Sequence, residues 1–149
     1  MKNSFKIEKP GKSDYPEMIE IWEAAVRATH HFLPDTDIAY FRPLILNQYF
    51  DAVNLFCVRD DKRNMLGFLG VSEDKIEMLF IHPAYFGQGI GRYLTLYAIN
   101  ELNMRKVDVN EQNPQAVGFY QKMNFEIIKR NPTDGLGKPY PILEMEFKD

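Results

Sequence analysis

Cysteine is almost absent from these 149 residues: Cys57, in the apolar run LFCV, stands alone. A single thiol excludes a disulfide framework, argues against a zinc cluster, and makes a reducing, cytoplasmic setting the expectation. No neighbouring residue would lower its pKa, and a thiol in a β-like apolar run is more often a small core residue than a nucleophile. No apolar run approaches transmembrane length, and the opening MKNSFKIEKPGK lacks the apolar stretch of a signal peptide, so no membrane partner is expected. Clustered Lys and Arg are missing as well, and with a net charge of −3 no nucleic-acid partner is expected. There is no internal repeat, low-complexity segment or linker. The chain therefore reads as one domain, residues 1–149.

What is present alternates between strand and helix patterns. SFKIEK sets Phe5 and Ile7 against polar neighbours, as in a half-buried strand. Asp14 and Glu17 have capping-box spacing, and Met18, Ile21, Trp22, Ala25 and Thr29 then recur at helical intervals to about His31. A second helix is expected over Ile38 to Phe50, weakened by Pro43. NLFCVRD and NMLGFLGV, joined by DDKRN, read as an antiparallel hairpin, and KIEMLFIHP as the next strand. A helix from Gly91 carries Leu94, Ala98 and Leu102. RKVDVNEQ opens with a strand whose Val107 and Val109 oppose Asp108 and Asn110, and Asn113-Pro114 is an N-cap and N1 pair for a helix to Met123. FEIIKR and PILEMEF close the chain. This order predicts a mixed α/β (α+β) sheet with helices on its faces.

HPAYFGQGIGRYL, residues 82–94, places glycines at 87, 89 and 91 after a strand and at the start of a helix. The first amides of a helix lack internal partners and carry partial positive charge, so a loop without side chains there can admit a phosphate. A tight turn with no ligand explains a lone triplet equally well. The dinucleotide fingerprint is G-x-G-x-x-G within βαβ units, whereas here the spacing is G-x-G-x-G behind antiparallel strands, and no G-K-[ST] follows.

These residues resemble the GNAT superfamily of acyl-CoA-dependent N-acetyltransferases. IHPAYFGQGIGRYL is similar to its pyrophosphate loop and NEQNPQAVGFYQKMNF to its strand–helix segment, in the same order and separation. The resemblance implies a mostly antiparallel mixed sheet of about six to seven strands, splayed at the acyl-CoA site and flanked by about four helices. It implies that the backbone of Leu79, Phe80 and Ile81 pairs with the pantetheine amides. The amides of Gly87, Gln88, Gly89, Ile90, Gly91 and Arg92 would hold the pyrophosphate, Asn113 the pantetheine arm, and Tyr120 would sit beside the thioester sulfur. Phe86 stands where the family often has Arg or Gln, which removes one side-chain contact. Asn124 replaces the family's usual glycine and tolerates the left-handed conformation.

The implied activity is acetyl transfer from acetyl-CoA, as co-substrate, to a primary amine by direct attack in a ternary complex, with no metal. An amine of pKa about 10.4 is neutral only about once in 2,500 molecules at pH 7, a cost of about 4.6 kcal/mol, so a base is useful. Glu77 on the strand face of Leu79 and Ile81, Asp108 five residues before Asn113, and His30 are the candidates, and the choice stays open. For Tyr120 a core position beside Phe119 and Met123 is the competing account; its seven-residue spacing from Asn113 favours catalysis. The acceptor pocket is expected to draw on Trp22, His30, His31, Phe32 and Tyr140 and to take a small-molecule or peptide amine. A monomer or homodimer is expected. A non-catalytic acyl-CoA sensor on the same fold, or an interaction domain whose glycines only turn the chain, are the alternatives.

Overall fold

The computed structural model describes residues 5–149, so Ser4 of the first expected strand lies outside it. Seven strands form one sheet in the order β1-β2-β3-β4-β5-β7-β6: β1 (Lys6–Glu8), β2 (Asn54–Arg59), β3 (Met65–Ser72), β4 (Lys75–Ile81), β5 (Lys106–Asn110), β6 (Phe125–Asn131) and β7 (Ile142–Phe147). All neighbours are antiparallel except β4 and β5. The last strand in sequence is inserted between β5 and β6, an order that the linear pattern does not reveal.

Helices cover both faces. On one, α1 (Tyr15–Thr29) buries Met18, Ile19, Ile21, Trp22, Ala25 and Val26. Beside it lies α2 (Asp35–Leu44), which continues through a wide π turn at Ile45–Tyr49 into the single turn α3 (Phe50–Ala52). Pro43 sits inside α2, where it cannot donate the usual hydrogen bond, and the helix continues past it before widening. On the other face, α4 (Ile90–Asn100) and α5 (Pro114–Lys122) cover Leu66, Leu69, Val107, Val109 and Met145. Each large side chain buried this way contributes about 1.5–3 kcal/mol, so the two apolar layers hold the helices against the sheet.

Several helix bounds differ from the sequence reading, the second helix running from Asp35 to Ala52 instead of Ile38 to Phe50 and α5 ending at Lys122 instead of Met123. Helix α1 ends at Thr29 rather than His31, and α4 starts at Ile90 with Gly89 as its N-cap. Asp14 and Glu17 do not form a capping box. Asp14 accepts from Gly11 N–H (2.9 Å) and Arg59 Nη2 (3.0 Å), while Glu17 accepts from Arg59 Nη1 (3.2 Å) and Met65 N–H (3.1 Å). The nearly buried guanidinium of Arg59 outcompetes the helix terminus for both carboxylates, because an unpaired buried charge would cost several kcal/mol. Cys57 is fully buried and its thiol is pushed up to about 11 by that burial, as expected of a core residue.

Candidate active site

The sheet opens where β4 leaves β5. These strands pair only at Lys75 with Lys106 and Ile76 with Val107, and then diverge. A bulge helps: Gly70 faces Met78 and Val71 faces Ile76, leaving Glu77 as the extra residue of β4. Strict alternation would have put Glu77 on the face of Leu79 and Ile81. The bulge instead lets Ile76, Leu79 and Ile81 all reach the α4–α5 core, while Met78 and Phe80 reach the α1–α2 core. His82 N–H donates to Leu66 O at 2.9 Å, so by alternation Phe80 directs its peptide groups to β3, while Leu79 and Ile81 direct theirs into the gap. An open strand edge of this kind can pair with the amides of an extended ligand. Phe80 is therefore the one of the three expected residues whose backbone is spent within the sheet.

The glycine loop closes the far side of this gap. Gly87 and Gly89 have φ of 79° and 81°, a region that side chains disfavour, and a Cβ at either would meet nothing within 4 Å. Backbone conformation, not packing, requires these two glycines. Gly91 has no positive φ, and a Cβ there would touch the Phe119 ring at an ordinary 3.7 Å. The first intrahelical bond of α4 runs from Tyr93 N–H to Gly89 O (2.9 Å), and Gly89 supplies no side-chain cap. Among the described residues, no acceptor pairs with the N–H groups of Gly87, Gln88, Gly89, Ile90, Gly91 or Arg92. These orphan amides of a helix start stand beside the cleft that Gly91 lines.

Between the loop and the strand edge lies a cavity of about 360 Å³, lined among others by Leu79, Phe80, Ile81, Phe86, Gly91, Asn113 and Tyr120. Asn113 caps α5 through Oδ1 to Ala116 N–H (3.3 Å) and is nearly buried. One helical stretch further, Tyr120 stands between Phe119 and Phe125, with ring centroids at 5.0 and 5.5 Å. Burial alone drives its phenol well above the ordinary tyrosine value, so the hydroxyl keeps its proton.

A second, smaller cavity of about 130 Å³ fills the inner gap between β4 and β5, with Glu77, Asp108 and Asn110 in its wall. The two cavities share His30, Leu79, Phe80, Asn113, Ala116 and Tyr120, so they meet at His30 and Tyr120. The structure thus brings all three base candidates to one gap, in different states. Asp108 accepts from Lys75 Nζ at 2.8 Å, and Glu77 accepts from Ser72 Oγ at 2.5 Å. His30 follows the end of α1. Its Nδ1 lies 2.7 Å from Thr29 Oγ1, whose own proton goes to Ala25 O (2.7 Å). Thr29 must therefore accept, which places the proton on Nδ1 and leaves the Nε2 lone pair free.

Burial first, and the nearby His31 second, push the His30 pKa down to about 4. The imidazole is neutral across physiological pH. Below about 6.5 an unfolded chain binds a proton here that the folded chain refuses, so the stability given by the folded state falls as pH drops from 6.5 to about 4. Replacing His30 with Gln should flatten the melting-temperature profile over that window, measured by calorimetry. An unchanged slope would mean that the ring is already protonated or solvated.

A model of the "Acetyltransferase (GNAT) domain" matches residues 36–137, more than half of the chain. The chain belongs to the GNAT acetyltransferase family. Among relatives, peptidyl-lysine N-acetyltransferase YjaB of Salmonella typhimurium is 38% identical over 131 residues, covering 88% of this chain and 90% of that one. The solution structure of apo-form YjaB from Escherichia coli superposes with a TM-score of 0.87 at 33% identity, covering 97% of each chain. The PaiA N-acetyltransferase of Thermoplasma acidophilum, in complex with coenzyme A, shares the fold at a TM-score of 0.72 and 20% identity, covering 97% and 99% of the two chains. The protein is a GNAT acetyltransferase, and its reaction moves an acetyl group from acetyl-CoA to a primary amine.

As a GNAT enzyme it needs an acceptor side, and here the sequence reading was partly misplaced. Trp22 is 4% exposed and belongs to the α1–α2 core, because its position on α1 turns it to the sheet with Met18 and Val26. Phe32 lies between His30 and Tyr140, at ring distances of 5.3 and 5.8 Å. Tyr140 OH donates to Asp37, and Lys138 Nζ approaches the same carboxylate at 3.3 Å, tying the β6–β7 loop to α2. His31 opens instead onto a separate pocket with Phe32, Gln112 and Gln115. A further cavity of about 450 Å³, lined by Tyr49, Ala52, Val53, Ser72, Glu77 and Met78, touches the inner gap at Glu77 and Met78. The sequence reading missed Thr29, which sets the His30 tautomer; a hydroxyl one residue before a histidine at a helix end was the available signal.

Proposed function

We propose that the enzyme acetylates the ε-amino group of a lysine carried on a peptide or protein, in the cytoplasm. The observation that carries this reading is the 38% identity, over nearly the full length of both chains, to a protein named for that activity. The cavity beside the inner gap supports it: Tyr49, Ala52, Val53 and Met78 offer an apolar wall for the methylene stem of a lysine. Fully buried Cys57 suits a reducing compartment.

The described residues fit acetyl-CoA: a peptide edge at Leu79 and Ile81, orphan amides at Gly87–Arg92, and a cleft between them. Acetyl-CoA supplies the activated acyl group. Glycine-loop amides bind the diphosphate with helix-start polarity, and the Leu79 and Ile81 edge orients the pantetheine arm. His30 Nε2 is unprotonated and can accept a hydrogen bond from the free amine, but a ring whose pKa is pushed down to about 4 does not keep the proton, which passes on to water in the gap. Tyr120 donates its hydroxyl to the departing sulfur. A thiolate of pKa about 8.5 is a weaker base than the raised phenolate of Tyr120, so the tyrosine stabilises chiefly by hydrogen bonding and not by early proton release.

Two measurements test this reading. Acetyl-CoA at a hundred times its Kd should stabilise the fold by about 2.7 kcal/mol, a shift of several degrees, while NAD and ATP do not. Equal stabilisation by NAD would move the phosphate site elsewhere. Thiol release with Nα-acetyl-lysine amide and lysine peptides should exceed release with small polyamines; the reverse order would overturn the lysine acceptor.

A further inference from the structure

We infer that Asn110 holds the acceptor amine, its side-chain oxygen accepting one N–H of the neutral nucleophile. The inference rests on the amine-acceptor reading above. The Oδ1 atom of Asn110 is buried and has no hydrogen-bond partner, one of two such side-chain atoms among the described residues. A buried acceptor left unpaired costs about 1–3 kcal/mol, and native folds keep few of them.

Its position in the sheet bears on the partner it can take. Asn110 ends β5, its peptide oxygen held by Asn113 N–H at 3.0 Å, and it pairs with Ile142 on β7. Val107 and Val109 face the α4–α5 core, so Asn110 points with Asp108 to the opposite face. It lines the inner gap but not the cleft beside the glycine loop, which places it beyond the His30–Tyr120 junction, in the gap whose wall at Glu77 and Met78 is shared with the neighbouring cavity. An amide oxygen accepts only from a donor, and a neutral amine brought to this gap carries the N–H to supply it.

The chemistry favours an amide over a carboxylate. A carboxylate beside the amine would favour the ammonium form and raise its pKa, which works against a reaction that needs the free lone pair. The oxygens of Asp108 and Glu77 are engaged by Lys75 and Ser72. Asn110 can hold one N–H without charge while His30 Nε2 faces the other, which aims the lone pair at the acyl carbon. This is orientation, worth most when both contacts form together.

The test compares Asn110→Ala, Asn110→Leu and Asn110→Asp with wild type, using acetyl-CoA and Nα-acetyl-lysine amide. Asn110→Ala and Asn110→Leu should lower kcat/KM for the amine about 10- to 100-fold, chiefly through KM, with acetyl-CoA affinity within twofold. Asn110→Leu should melt no lower than wild type, because it removes an unpaired buried oxygen. Asn110→Asp should shift the acidic limb of the kcat/KM profile to higher pH. Normal amine kinetics in Asn110→Ala would overturn the inference, as would weakened acetyl-CoA binding with a normal amine KM, which places the side chain on the pantetheine arm. A melting temperature several degrees lower in Asn110→Leu would show that the oxygen has a partner. If wild type transfers to no amine, the acceptor reading falls and this inference with it.

Discussion

Tyr120→Phe should lower kcat about 10²- to 10³-fold, or about 2.7–4 kcal/mol, and leave acetyl-CoA affinity nearly unchanged. The substitution removes one oxygen and almost no volume from a side chain that is 6% exposed between Phe119 and Phe125. Both aromatic contacts survive it. Burial is the sole cause that raises the phenol's pKa, so no neighbouring charge or hydrogen bond competes for the hydroxyl in the free protein. An interaction that strengthens only as charge grows on the sulfur appears in kcat and not in binding. The check is kcat with a good lysine acceptor beside acetyl-CoA affinity by calorimetry. A kcat within about threefold of wild type, well under 1 kcal/mol, would remove Tyr120 from the chemistry.

Gly89→Asp should abolish acetyl-CoA binding at working concentrations and leave the fold in place. The position has φ 81°, which aspartate adopts more readily than most residues, and a Cβ there meets nothing within 4 Å. The fold therefore loses about 1 kcal/mol or somewhat more. The ligand loses more. A carboxylate about 4 Å from a phosphate repels it by about 1 kcal/mol in water and about 4 kcal/mol near a protein surface, a roughly 5- to 1,000-fold weakening per charge pair. Gly89→Asn carries the same backbone strain without the charge and should bind far better than the aspartate variant. Equal affinities for the two would show that the loop does not meet the diphosphate.

Much of this was legible in the sequence because the signals are local. Gly87 and Gly89 are glycines for a backbone reason that any strand-to-helix turn of this shape imposes, and Asn113-Pro114 starts α5 by its own capping chemistry. DDKRN makes its hairpin in place. What escaped depends on residues far apart in the chain. The bulge at Glu77 is a register event between β3 and β4, invisible to alternation within β4. The pairing of Asp108 with Lys75 spans 33 positions. Asp14 and Glu17 have the spacing of a capping box, yet Arg59, more than 40 positions on, takes both. Trp22 looked available at helical spacing, but only the direction in which α1 meets the sheet decides whether an aromatic is core or pocket. The same limit hid Asn110: its strand face could be read from Val107 and Val109, but not that its oxygen would be buried without a partner.

The central claim is that the splay between β4 and β5, closed by the glycine loop, is where acetyl-CoA lies. Backbone amide shifts of isotope-labelled protein, followed through an acetyl-CoA titration, test it residue by residue. The expected result is that the largest shifts fall on Gly87 through Arg92, on Leu79 and Ile81, and on Asn113, with Phe80 moving less because its amide is committed to β3. Largest shifts on β1, β2 or β6, with the loop amides unmoved at saturation, would contradict the account.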